Sequence, residues 1–270
     1  MNDCFVNKFG IETVTRFLAA ALAGLSIVVA QAAAADELVV LSAAAVRPGL
    51  MQVPPVVAKA TGHHLTVSFG NATVIRDKVV AGDRVDIVIL PPMQIDELIG
   101  RGLLLAAGRA DLGVVRLGIA ARAGSGMRPV ATVDEFKQAL ASVPTFGMPD
   151  PADGSTSSVY LAKVLQQLGI AEAMRAKTKL FLDGTKALEA VAKDEIALTV
   201  APITSIFTVA GVELLGPLPE TLQLRTVYAA AIANRSASPA AANALLKLLT
   251  SSEVATLFKA KGIDPPDSRN

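Results

Sequence analysis

The sequence predicts an α/β protein built on mostly parallel sheets with helices packed on their faces. Three observations predict it. Short apolar runs alternate with longer segments of helical periodicity. Several of those runs are continuously apolar, as strands covered on both faces must be. Glycine or a Ser-Pro pair punctuates the joins. Strand–helix–strand repetition at this spacing implies parallel strands linked by crossover helices.

The strand candidates are 38–41, 65–69, 85–90, 114–121, 144–148, 196–200 and 227–233. The helix candidates are 46–60, 73–81, 95–100, 133–141, 157–168, 186–193, 239–249 and 253–261. Gly62, Gly82, Gly102 and Gly169 follow helical patterns, where glycine can take the left-handed conformation that ends a helix. Ser238-Pro239 reads as an N-cap with proline at the first helical position. Pro54-Pro55 falls inside the first helix and should break or kink it near its middle. The tail from Asp264 reads as frayed.

The N-terminus carries an export signal. Lys8 and Arg16 precede a charge-free run over 17–30 (FLAAALAGLSIVVA), and alanines follow Gln31. A basic start, a short apolar stretch and an Ala-x-Ala end are the features of a cleaved secretory signal. The run is shorter than the roughly 20 residues of a spanning helix. Cleavage is expected after Ala32, Ala34 or Ala35, so residues 1–35 are assigned to the signal peptide. Cys4, the single cysteine, lies within it. The mature chain then has no thiol, disulfide or cysteine metal ligand, and its roughly 235 residues bury enough core without them.

Composition removes several function classes. The net charge is +1, which gives no electrostatic footprint for nucleic acid. Tryptophan is absent and aromatics make up 4% of residues, which leaves little surface for stacking bases or sugars. His63 and His64 are adjacent, so on extended backbone their side chains point to opposite faces and cannot share a metal. Gly124-Ser125-Gly126 lacks the spacing of a nucleophile elbow. No phosphate loop or dinucleotide fingerprint is present. Asp86, Asp96 and Glu97 read as helix caps or solvent-facing carboxylates. No catalytic residue, cofactor or metal is therefore assigned.

Three strand-to-helix joins are small and hydroxyl-rich: Ser42 to Ala45, Gly70 to Thr73, and Asp153 to Ser158. Each places small residues where a helix begins, and helix starts offer unpaired N–H groups and a positive dipole end to anions. Taken singly, Asn71 and Ser157 also read as plain N-caps.

The stretch 38–102 resembles the start of molybdate-type periplasmic solute-binding proteins. It runs strand, SAAAV turn, a helix ending KATG, then LTVSFGNATVIRDKVVAG and DRVDIVILP. The segment GMPDPADGSTSSVYLAKVL and the close VYAAAIANRSASPAAANALLKLLTSSEVATLFKAKG resemble that family's middle and end. The resemblance implies a two-lobed type II periplasmic-binding-protein fold, each lobe a mostly parallel sheet flanked by helices, with hinge strands between. Residues 36–118 plus 226–270 would form one lobe and 119–225 the other. It also implies a periplasmic, monomeric receptor with no enzymatic activity. Its small-molecule ligand would be an anion held in the interlobe cleft, a molybdate-like oxyanion or a small organic anion. The receptor would deliver it to an ABC permease in the inner membrane or present it to a sensor.

The candidate ligand residues, from the joins and the resemblance together, are Ser42, Ala44 and Ala45 in the first turn and Asn71, Ala72 and Thr73 in the second. Asp153, Gly154, Ser155 and Thr156 follow in the third, with Gly184, Thr185 and Ala201 beyond. The family's two serines fall on Ala45 and Ala72, and its tyrosine falls on Ala201. Replacement donors would come from Asn71, Thr73, Ser155 to Ser158, Thr185, or a charge on Arg47, Arg76 or Lys186, although those three also read as solvated.

Overall fold

The computed structural model describes residues 37–153 and 156–266. β1 (Glu37–Ala43) passes through a 3₁₀ turn (Ala44–Val46) into α1 (Arg47–Leu50) and α2 (Pro54–Thr61). The expected break at Pro54-Pro55 is there: a proline lacks the N–H of a helix interior but is accepted in the first turn, and α2 starts on the pair. β2 (His64–Gly70) leads to α3 (Ala72–Ala81), and β3 (Ile87–Leu90) to α4 (Pro92–Gly100). Gly62 and Gly82 end α2 and α3 with φ of 75° and 90°, which suit glycine.

β4 (Leu104–Arg122) follows, then α5 (Val133–Ser142), β5 (Phe146–Pro149), a 3₁₀ turn (Pro151–Asp153), α6 (Thr156–Gln167) and α7 (Ala171–Arg175). β6 (Thr178–Phe181), α8 (Gly184–Ala192), β7 (Leu198–Pro202), α9 (Ile203–Ile206) and β8 (Val212–Pro217) come next. A third 3₁₀ turn (Glu220–Leu222) precedes β9 (Arg225–Ala233), α10 (Pro239–Leu249), α11 (Ser252–Lys259) and β10 (Ile263–Asp264).

The strands join in the order β2-β1-β3-β9-β4-β7-β5-β6, with β8 and β10 also paired to β4. β1 is parallel to β2 and β3, and β5 is parallel to β6 and β7; β9 and β4 run antiparallel to their neighbours. β4 holds the two halves together. Its first part pairs with β9 as far as Arg116, and from Leu117 it pairs with β7. Leu112 and Val115 belong to a core around β1, β3 and β9, packed under Leu245 and Phe258. Leu117, Ile119 and Ala121 belong to a second core with Phe136, Phe146, Leu161 and Leu198.

Several sequence expectations need correction. β4 starts ten residues before the candidate at 114, because Gly108, Arg109 and Asp111 interrupt the apolar pattern of 104–111 and the stretch becomes a strand only by pairing with β9 through register shifts. β6, β8, β10, α7 and α9 have no counterpart among the candidates; each has six residues or fewer. Ser238 precedes α10 with proline following, but its hydroxyl makes no cap bond. Asp264 is not frayed: it pairs with β4, and its carboxylate meets Arg116 at 2.7 Å. That approach needs Gly113, where a Cβ would lie 2.7 Å from the Asp264 carbonyl oxygen. The signal peptide expected over 1–35 and the last four residues lie outside the described residues.

Asp86 is also corrected, from a solvated carboxylate to a buried one that is 1% exposed. Its Oδ2 accepts from the Val39 amide at 2.9 Å. Its Oδ1 accepts from the Ser236 hydroxyl at 2.6 Å and the Ala237 amide at 3.2 Å. It thereby ties β1 to the loop that leaves β9. Asp86→Ala strands these donors, and buried donors without partners are costly, so stability should fall by about 3 kcal/mol in a urea titration. A loss under about 1 kcal/mol would show that the loop holds without the carboxylate.

Tyr228 of β9 is buried, and loss of solvation pushes its phenol up to about 12. In the unfolded chain the phenol titrates near 10. Both states are neutral below that pH, so stability is fully present there. Between about pH 10 and 12 only the unfolded chain ionises, and stability falls by about 2–3 kcal/mol. Tyr228→Phe should remove this component from the alkaline limb of a stability-against-pH curve.

Candidate ligand site

The carboxyl ends of β1 and β2 lie side by side, with Ser42 opposite Phe69 and Ala43 opposite Gly70. This places two of the expected turns together at one edge of the first sheet half. Ser42 is buried, and its hydroxyl donates to the Ala43 carbonyl at 3.1 Å. Ala44 is exposed. Ala45 and Ala72 are half-buried and pack on the first core.

Asn71 caps α3. Its backbone is extended, and its Oδ1 accepts from the Val74 amide at 2.8 Å. The Ile75 amide donates to the Asn71 carbonyl at 3.0 Å. The amides of Ala72 and Thr73 are left without an intrahelical acceptor, at the positive end of a ten-residue helix.

The second sheet half presents a similar edge. The Asp150 amide donates to the Phe181 carbonyl at 2.9 Å, which brings the turn after β5 against the end of β6. Asp150 Oδ1 in turn accepts from the Ala152 amide at 2.9 Å. Gly154 and Ser155 lie outside the described residues, and Asp153 and Thr156 are placed by backbone only, closing the 3₁₀ turn and opening α6. Ser158 is buried within that first turn of α6. Asp183 caps α8 by accepting from the Lys186 amide at 2.8 Å. Gly184 lies beside Pro149, since a Cβ there would sit 3.9 Å from the proline ring, and Thr185 is exposed. Ala201 is buried with Ala120, Leu188 and Ile206.

The three candidate cations differ in their partners. Arg76 reaches Asp77 at 2.7 Å and Glu97 at 3.9 Å, and the Asp77 hydrogen bond raises its pKa. Lys186 pairs with Glu189 at 2.8 Å, which raises the lysine and lowers the glutamate. Arg47 instead stands over Phe69, with its guanidinium carbon 4.5 Å from the ring centroid. No acidic partner accompanies it among the described residues.

Thr204, which sequence reasoning missed, adds a polar group. It is fully buried on α9, and its hydroxyl has no hydrogen-bond partner among the described residues. An orphaned buried hydroxyl costs about 1–3 kcal/mol. A four-residue helix in an apolar stretch gives no periodic signal that would have singled it out.

A separate depression of about 560 Å³ is lined by Gly126 to Val130 and by Glu135, Gln138 and Ser142. It shares no residue with the strand-end turns. Glu135 is already committed to capping α5, accepting from the Ala131 and Thr132 amides, which hold its pKa down. Among the described residues, no group of three histidines, cysteines or carboxylates could hold a metal ion.

Asn71→Ala removes the cap of α3 and should lower stability by about 1 kcal/mol in chemical denaturation. Thr73→Ala, at an exposed position, should stay within about 0.5 kcal/mol of wild type. Equal losses at both would place the capping elsewhere.

Comparison with known proteins agrees with this architecture. The sequence profile of a family described as bacterial extracellular solute-binding protein matches residues 38–264. Aconitate isomerase from a Pseudomonas species is 27% identical over 234 residues, covering 84% of this chain and 87% of that protein. The periplasmic molybdate-binding protein of Azotobacter vinelandii superposes with a TM-score of 0.69 at 20% identity, over 85% of this chain and all of that one. The sulfate-binding protein SubI of Mycobacterium tuberculosis superposes at 0.66 with 16% identity, over 86% and 88% of the two chains. The fold is that of type II periplasmic binding proteins.

Proposed function

This chain belongs to the bacterial extracellular solute-binding protein family, and we propose that it is the periplasmic receptor of an ABC importer for a small carboxylate-bearing organic anion. Residues 36–118 and 226–270 form one lobe and 119–225 the other, and hinge closure about the crossing strands traps the solute. The closed receptor, a monomer freed of its signal peptide, then docks on an inner-membrane permease. It performs no covalent chemistry of its own.

One observation carries the choice of ligand: the paired strand ends offer backbone amides at α3 beside Ala45 and Ala72, which stand, with Ala201, where the resemblance expects hydroxyl donors. Each hydrogen bond to a charged group contributes roughly 1.5–3 kcal/mol, so a bare oxyanion that loses three hydroxyl donors loses several orders of magnitude in affinity. A carboxylate still finds helix-start amides, and the carbon skeleton attached to it fills space that alanines leave. The relative named for isomerising aconitate, a tricarboxylate, fits the same ligand class.

The test is a thermal-shift panel on purified protein with citrate, cis-aconitate, tricarballylate, molybdate, tungstate and sulfate. A ligand at a hundred times its Kd stabilises by about 2.7 kcal/mol, roughly 5–10 °C at this size. A carboxylate is expected to give that shift. A response to molybdate alone would return the site to oxyanions.

The same relative favours a second reading, an exported isomerase on this fold. Proton NMR of cis-aconitate incubated with the protein separates the two readings. Turnover to the trans isomer would replace the receptor by an enzyme.

A further inference from the structure

We infer that Arg47 and Thr204 are the polar contacts that take over from the alanines, Arg47 as the carboxylate-binding cation and Thr204 as a hydroxyl donor from the facing half. The inference rests on the ligand class proposed above and assigns residues that neither the strand-end turns nor the comparisons assign.

Arg47 opens α1, directly after the 3₁₀ turn that carries Ala44 and Ala45. Phe69 holds its guanidinium plane from the end of β2. A guanidinium laid against a ring keeps its N–H edges free, in the planar fork that matches a carboxylate. The same edge of the sheet presents the amides of Ala72 and Thr73. A cation at a strand's carboxyl end, fixed by an aromatic ring and lacking an acidic partner among the described residues, is a charge prepared for an anion from outside the chain. Arg76 and Lys186 lack this property, since each already holds a carboxylate.

Thr204 supplies the second, independent observation. α9 packs against both the 3₁₀ turn and α1, so the second sheet half meets the Arg47 segment there. Within α9, Ile203 and Ile206 lie against Gly118, and Ile203 and Phe207 lie against Gly262. These three side chains occupy one side of the helix. Thr204, about 100° round from Ile203, falls on its flank. Besides β4, α9 packs on β7 and β8, on α8, which begins with Gly184–Thr185, and on the Ala44–Leu50 segment, which begins with the alanine turn. A buried hydroxyl without a partner is rare in folded proteins and calls for an explanation such as an unplaced ligand. Here the explanation is a solute oxygen bound between α9 and the alanine turn.

The experiment compares Arg47→Met, Arg47→Lys, Thr204→Val and Thr204→Ser with wild type, using citrate and cis-aconitate as probes in calorimetric titration. Arg47→Met keeps an unbranched side chain but removes the charge and should weaken the responding carboxylate about 10- to 100-fold. Arg47→Lys restores charge but not the fork and should recover only part of the affinity. Thr204→Val should weaken binding about 10-fold, and Thr204→Ser should recover it. Unfolding without ligand is the control. Removing an orphaned hydroxyl should leave the unliganded melting temperature unchanged or raised, whereas a structural hydroxyl would lower it.

Wild-type affinity in both Arg47→Met and Thr204→Val would overturn the assignment and leave the ligand class standing. A lowered unliganded melting temperature in Thr204→Val, with Thr204→Ser failing to restore binding, would make that residue structural and remove it from the site. A wild-type protein that responds to no carboxylate would overturn the ligand class and this assignment together.

Discussion

The fold depends on one strand keeping hydrogen-bonding partners where it passes from one sheet half to the other. β4 runs for 19 residues, and its edges change neighbours in the middle. At Arg116 it leaves β9, and at Leu117 it takes up β7. A backbone that switches partners risks exposing unpaired N–H and C=O groups, which a buried strand cannot tolerate. Gln223 covers the gap. Its Oε1 accepts from the Leu117 amide at 2.8 Å, and its Nε2 donates to the Leu117 carbonyl at 3.0 Å and to the Leu218 carbonyl at 2.8 Å. A single side-chain amide thus stands in for a strand at the point where the two halves meet.

That arrangement sets where the strand ends of the proposed site lie. β1 and β2 end at the alanine turn and at Asn71, while β5 and β6 end at Asp150 and Asp183. In open α/β sheets, ligands sit beyond the carboxyl ends of strands. Both halves offer helix starts capped by short polar side chains, Asn71 and Asp183, which consume one amide each and leave neighbouring donors free. Neither cap is a strong anion site alone.

Much of the fold was legible in local signals. Asn71, Gly62, Gly82 and the Pro54-Pro55 pair act within a few residues of themselves, so their helix ends appear where the sequence puts them. The apolar strands β1, β3 and β9 show as continuous runs because both of their faces are covered. The early part of β4 was not legible: Gly108, Arg109 and Asp111 break the apolar pattern, and only pairing with β9 makes that stretch a strand. Asp86 was misread for the same reason. A carboxylate looks solvated in a sequence, and three donors from Val39, Ser236 and Ala237 bury it.

Local signals along the chain carry the alternation of strands and helices, the caps, and the alanines at positions 45, 72 and 201. The tertiary structure alone decided which of those turns share an edge. It put Ala201 in an apolar cluster, set Arg47 over Phe69 and left Thr204 buried without a hydrogen-bond partner among the described residues. The division has a physical reason. Caps and proline breaks arise from dihedral preferences and hydrogen bonds within a turn, which a chain carries wherever it goes. Burial, stacking and orphaned hydroxyls depend on which distant segment arrives, and that is settled only when strand register and packing fix the chain in three dimensions.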